Sequence, residues 1–223
     1  MKVQLLIAFF IICFGNSKGQ AKLDKDSLVT QICLVFRNDQ AIEPDSLKVL
    51  RILGGQLGPY LQRISQDSAV TLINFFYLRL QRECSVFREM VLRLEGLPPG
   101  KRNWIDVDIE PESQISKTDY NDFFNLKHLK YIEPTGDTVI VNITDSTWED
   151  IFLDGTFSKL SLAKLNQSEF SITFIESNNL LRKYFSKPGD KYRYKILKRE
   201  TKYYSMFVHA IGTDFKQLFK LYY

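Results

Sequence analysis

The sequence predicts an α+β protein, a helical N-terminal segment followed by an antiparallel β-meander that closes into a barrel or a strongly curved sheet. Apolar side chains recur at helical spacing through residues 23–95. From Lys130 onward the chain instead reads as seven or eight alternating runs of 7 to 11 residues, separated by short turn signals. Nothing between those runs is long enough for a crossover helix, so a parallel sheet is excluded.

The first residues read as a secretory signal peptide, residues 1–19. Lys2 precedes an apolar run from Leu5 to Phe14, and Ser17 and Gly19 supply the small residues that suit cleavage before Gln20. The run is too short to span a bilayer. Ile12 stands before Cys13 where a lipid-anchored protein would carry a small residue. The mature chain is therefore expected to be exported, periplasmic or secreted, with a helical segment at 20–96, a turn-rich linker at 97–103 and a β domain with one short helix at 104–223. With 44% hydrophobic and 25% charged residues it has the composition of a globular protein. Export places Cys33 and Cys84 in an oxidising compartment, where such a pair is expected to form a disulfide.

Within the helical segment, Leu28, Ile32, Val35 and Phe36 form the stripe of a first helix, with Cys33 at its edge. A second is expected to start at a cap on Asp45 or Ser46, to carry Leu47, Leu50, Leu53 and Leu57, and to break or kink at "GGQLGPY". Asp67 is the expected cap of a third, whose stripe runs unbroken from Ile73 through Phe76, Tyr77, Leu80, Cys84, Phe87 and Val91 to Leu94.

In the β domain "WIDVDIEPE" alternates, with Ile105, Val107 and Ile109 opposite Asp106, Asp108 and Glu110. Ser116 and Asp119 open a short helix in the manner of a capping box. "DTVIVNIT" puts Val139, Val141 and Ile143 on one face. Asp154-Gly155 marks a hairpin, Asn166 and Gln167 mark another turn, and "KPGD" sets Pro188 and Gly189 at the centre of a type II turn. The strand from Tyr203 to Ile211 is apolar on both faces, as a strand covered on both sides would be.

The net charge of +4 hides a division: residues 104–154 hold twelve acidic and three basic side chains, and residues 155–223 hold five acidic and thirteen basic. Two faces that attract each other inside one domain account for such asymmetry. The seven Lys and Arg between Lys187 and Lys202 alternate in part with Tyr192 and Tyr194. Strand geometry turns the tyrosines inward with Ile196 and the cations outward, and export removes nucleic acid as a partner. Asp106, Asp108 and Glu110 lie along an extended segment with no glycine of a calcium loop, and read as a solvated acidic edge. His128, among lysines, and His209, in a covered strand, have no nucleophile beside them, so no catalytic residue, metal or cofactor is assigned.

"DGTFSKL", "FIESNN", "RKYFSKPGDKYRYKIL" and the terminal "FKLYY" resemble a group of uncharacterised exported bacterial proteins with a helical front and a lipocalin-like β C-terminus. The likeness covers most of the mature chain and implies the fold without an activity. The Gly-x-Trp opening of lipocalins is not present, since Trp148 precedes the Asp154-Gly155 turn. The expected function is non-catalytic binding of a small apolar or amphipathic ligand by Tyr192, Tyr194, Phe170, Phe174, Tyr203 and Phe207 inside the barrel, with Ile172 between them. The alternative is a structural or interaction protein of the cell envelope whose barrel is filled.

Overall fold

A computed structural model describes residues 23–96, 103–134 and 136–223. The expected signal peptide and nearly all of the expected linker lie outside these residues. The chain divides into two compact units, 1–97 and 98–223, each with its own hydrophobic cluster.

The first unit contains α1 (Lys25–Asn38), α2 (Asp45–Leu61), α3 (Gln66–Glu83) and α4 (Ser85–Glu95). Phe36, Phe76, Leu80 and Phe87 meet at its centre. Three expectations need correction. First, α2 does not break at its glycines but continues through Pro59 to Leu61, and Pro44 stands at its cap, so that Asp45 is already helical. One proline and three glycines cost an isolated helix about 6 kcal/mol. Burial of Val49, Ile52, Leu53, Leu57 and Leu61 contributes about 10 kcal/mol and outweighs that cost. Second, the cap of α3 is Ser65, which accepts from the Ser68 amide, while Asp67 lies in the first turn. Third, the long third stripe is two helices. Cys84 between them is extended, at φ −139° and ψ 100°, and ends α3 while opening α4. Arg88 Nη1 donates to the Gln81 carbonyl at 2.7 Å, satisfying an acceptor freed by the interruption. Cys84 is bonded to Cys33 on α1, as expected, with Cα atoms 5.5 Å apart.

The second unit is a closed antiparallel barrel. Its strands are β2 (His128–Ile132), β3 (Thr138–Ile143), β4 (Thr147–Ile151), β5 (Phe157–Lys164), β6 (Glu169–Ser177), β7 (Lys191–Arg199), β8 (Tyr203–Ala210) and β9 (Lys216–Tyr222). Each pairs with the next, and β9 returns to β2 through Lys130 and Tyr222. The seam is short, and β1 (Ile105–Asp106) shares the same edge of β9 through Ile105–Leu218 and Asp106–Gln217. Trp104 fills the gap, its ring stacked on Phe219 at 4.3 Å and its Nε1 donating to the Ile132 carbonyl at 2.8 Å. Gly155 and Gly189 hold φ of 78° and 92° in their turns, conformations that favour glycine.

The acidic stretch is a solvated edge only in part: Asp108 is exposed, whereas Asp106 accepts from Gln217 Nε2 at 2.9 Å and Glu110 turns to the barrel. Residues 107–114 form a strap over the outside of β7, β8 and β9. The Val107 amide donates to Lys216, the Ser113 hydroxyl to Ile196 and the Gln114 amide to Leu197. Glu110 pairs with both Arg193 and Lys195, which Glu169 also reaches at 3.1 and 3.4 Å. Arg193 and Lys195 therefore face carboxylates, while Lys191 and Lys198 remain exposed as expected, and the two charged halves of the domain are joined here. At one end of the barrel, α5 (Lys117–Asn125), capped by Ser116 as expected, inserts Phe123. That ring is fully buried, 5.6 Å from Phe170 and 5.2 Å from Tyr204. Arg199 bonds Asp119 and Asp122 at 2.9 Å each and holds the plug in place. At the other end lies α6 (Leu180–Phe185), a short helix that the sequence reading missed, capped by Asn179.

Candidate functional site

The inner wall is set by strand parity. In β4, Trp148 and Asp150 point inward and their neighbours outward. Asp150 is only 9% exposed, opposite Val141 and Ser158 on the adjoining strands. A charge on an otherwise apolar inner face is costly unless partners receive it. Trp148 Nε1 donates to Asp150 Oδ1 at 2.8 Å, and the Tyr131 hydroxyl bonds the same carboxylate. Arg182 comes down from α6, pairs with Glu133, and sets its Nη2 3.4 Å from the Tyr131 hydroxyl. Its guanidinium lies 5.1 Å from the centre of the Phe152 ring. The hydroxyls of Ser186 and Tyr192 bond each other, and Ser158 meets Ser177 at 3.0 Å.

Burial pushes the Asp150 carboxyl up to about 6; Arg182 and the Trp148 bond oppose this, and Glu133 adds to it. Desolvation likewise raises the Tyr131 and Tyr194 hydroxyls well above their ordinary range. For Arg182 burial works against the charge, but Glu133, then Tyr131 and Asp150, keep it protonated. One end of the barrel thus gathers a buried carboxylate, a guanidinium, a second carboxylate and three tyrosines.

Below this end the lumen is lined by touching rings. Trp148 lies 5.9 Å from Phe170 and 5.6 Å from Tyr194; Phe170 and Tyr194 stack at 5.2 Å. Tyr194 meets Phe219 at 5.9 Å, and Phe219 carries the chain to Trp104 and Tyr131. β4 and β7 are three strands apart in a barrel of eight, so the Trp148–Tyr194 contact crosses most of the lumen.

Four of the six residues expected to line the interior are there: Phe170, Phe174, Tyr192 and Tyr194. Tyr203 and Phe207 are not. The inward residues of β8 are Tyr204, Met206, Val208 and Ala210. Tyr203 lies outside against Tyr222 and Lys220. Phe207 points out as well, yet is fully buried, between Lys195 and Leu218 on the flanking strands in the region the strap crosses. Because β8 is apolar on both faces, its composition does not fix its parity. His128 is exposed and bonds Asn142 at 2.9 Å; His209 is half-buried, 3.2 Å from the Thr213 carbonyl. Asp150, Arg182, Tyr131 and Glu133 were not singled out from the sequence. The available signal was Asp150 itself, two positions from Trp148 and in phase with it.

No known family model, curated protein or solved structure matches the chain.

Proposed function

We propose that the protein is an exported, non-catalytic binding protein that takes a small amphipathic molecule at the α6 end of its barrel. The observation that carries this reading is the convergence of Asp150, Tyr131, Tyr194 and Arg182 on the inside of one barrel end, above a wall of aromatic rings. A closed barrel needs no buried carboxylate for stability, and an apolar residue there would avoid the desolvation cost. Polar groups fixed at the mouth and rings below are the arrangement that orients a ligand with one polar end. The ring contact across the lumen and the Phe123 plug limit the ligand to a small one and speak against long acyl chains. The short helix α6, tied to the barrel by Arg182 and by Asn179 to Thr156 at 2.8 Å, is the element that admits it.

A second reading has its own support. The same chain of rings is what a filled core looks like, and Leu180 and Leu181 on α6 are exposed, as is Leu153 in the turn after β4, at 76%. In that reading the barrel is a scaffold whose rim meets an envelope protein.

A thermal-shift screen of small amphipathic compounds, followed by hydrogen exchange with each stabilising compound, separates the two. The ligand reading expects slowed exchange in residues 147–153 and 180–194. Stabilisation with protection confined to the helical unit, or no stabilising compound at all, removes it.

A further inference from the structure

We propose that the polar end of the ligand is a cationic nitrogen, so that the class bound is a small aryl or alkyl amine; this rests on the reading that the α6 end binds a ligand. Two carboxylates, Asp150 and Glu133, face one guanidinium there. Arg182 bonds Glu133 directly and reaches Asp150 only through its field. A carboxylate offers about four acceptor positions. Asp150 uses one for Trp148 Nε1 and one for the Tyr131 hydroxyl, and both donors are neutral. The local charge is therefore one positive against two negative whenever Asp150 is ionised, and a cation completes the balance.

The surroundings favour the same ligand. Trp148 stands directly beside Asp150, and its ring meets Phe170 and Tyr194. Tyr131 closes the other side, edge-on to Trp104. Aromatic faces attract cations, most strongly where water is excluded. An anionic head would meet Asp150 and Glu133 at close range in a low dielectric, where like charges repel strongly. A neutral head would leave Asp150 short of a charged partner. The apolar part of the ligand would lie on the Phe170–Tyr194 stack.

Isothermal titration calorimetry with three probes of one shape tests the inference: phenethylamine, phenethyl alcohol and phenylacetate, each at about pH 8, where Asp150 is ionised and the amine protonated. The amine is expected to bind at least about tenfold more tightly than the other two, a difference of about 1.4 kcal/mol. Asp150→Asn should remove that preference while keeping weak binding of the alcohol. Arg182→Gln, which withdraws the internal cation, should strengthen amine binding and serves if the Asp150 variant does not fold. Equal affinities for the three probes, or preference for phenylacetate, overturn the cationic class and leave the binding site standing. Binding of none of the three overturns both.

Discussion

Trp148 and Asp150 stand two positions apart on the inner face of β4, and the indole Nε1 donates to the Asp150 carboxylate at 2.8 Å. Burial disfavours the charge more than this bond and the field of Arg182 favour it, so Asp150 stays protonated up to about pH 6 in the folded chain. Its unfolded value is about 3.9. The sign follows from linkage: the folded state holds this proton more tightly, so Asp150 favours folding below about pH 4 and that contribution is lost as pH rises through about 6. Chemical denaturation at a series of pH values should therefore show stability falling between about pH 4 and 6 by up to about 3 kcal/mol from this group. Asp150→Asn should flatten that slope, and an unchanged slope would assign it elsewhere.

Glu110 ties the strap to the barrel through Arg193 and Lys195, and those cations hold its carboxyl below the ordinary range against the effect of burial. Glu110→Ala should cost about 1 kcal/mol, because Glu169 still serves both cations. The more specific outcome is local. Hydrogen exchange should accelerate at Val107 and Gln114, whose amides bond the barrel, and remain slow at Tyr131 and Val141. Uniform acceleration throughout the barrel would show that the strap is not a separable cover.

The Cys33–Cys84 bridge joins α1 to the interruption between α3 and α4 across a separation of 51 residues. In the chain-entropy account it stabilises the helical unit by about 4 kcal/mol. Reducing agent should lower the melting temperature of that unit and spare the barrel. Equal melting curves with and without reductant would mean the bridge contributes little.

Phe123 is the plug of the α5 end, with no exposed surface and rings on three sides. Phe123→Ala should destabilise the barrel by about 3–5 kcal/mol, measured by denaturant titration with Trp148 fluorescence as probe. A cost below about 1 kcal/mol would mean that α5 is docked weakly.

The sequence made the barrel legible because its turns carry their own chemistry. Gly155 marks a hairpin, Gly189 the type II turn that leads into β7, and Ser116 with Asp119 the plug helix. Local signals failed where long-range contacts decide. Nothing near Cys84 announces the end of a helix; its extended backbone accompanies a bond to a residue 51 positions away. Pro59 and its glycines announce a break that packing overrides. The site divides similarly. The inward phase of β6 and β7 was readable from alternation, which placed Phe170, Phe174, Tyr192 and Tyr194 correctly. β8 is apolar on both faces, so Tyr203 and Phe207 were assigned to the interior although they lie outside. Asp150 and Arg182 escaped notice because their meeting depends on α6 folding over the barrel end. The alternation of β7 also showed that Arg193 and Lys195 point outward, but not that Glu110 of the strap waits there.

Native mass spectrometry of the protein, purified gently from its own cells, tests the binding account most directly. The account predicts a species heavier than the bare chain by the mass of one small amine, lost on denaturation and absent from the Asp150→Asn variant. A bare chain throughout, from wild type and variant alike, would contradict it and leave a filled barrel that acts through its surface.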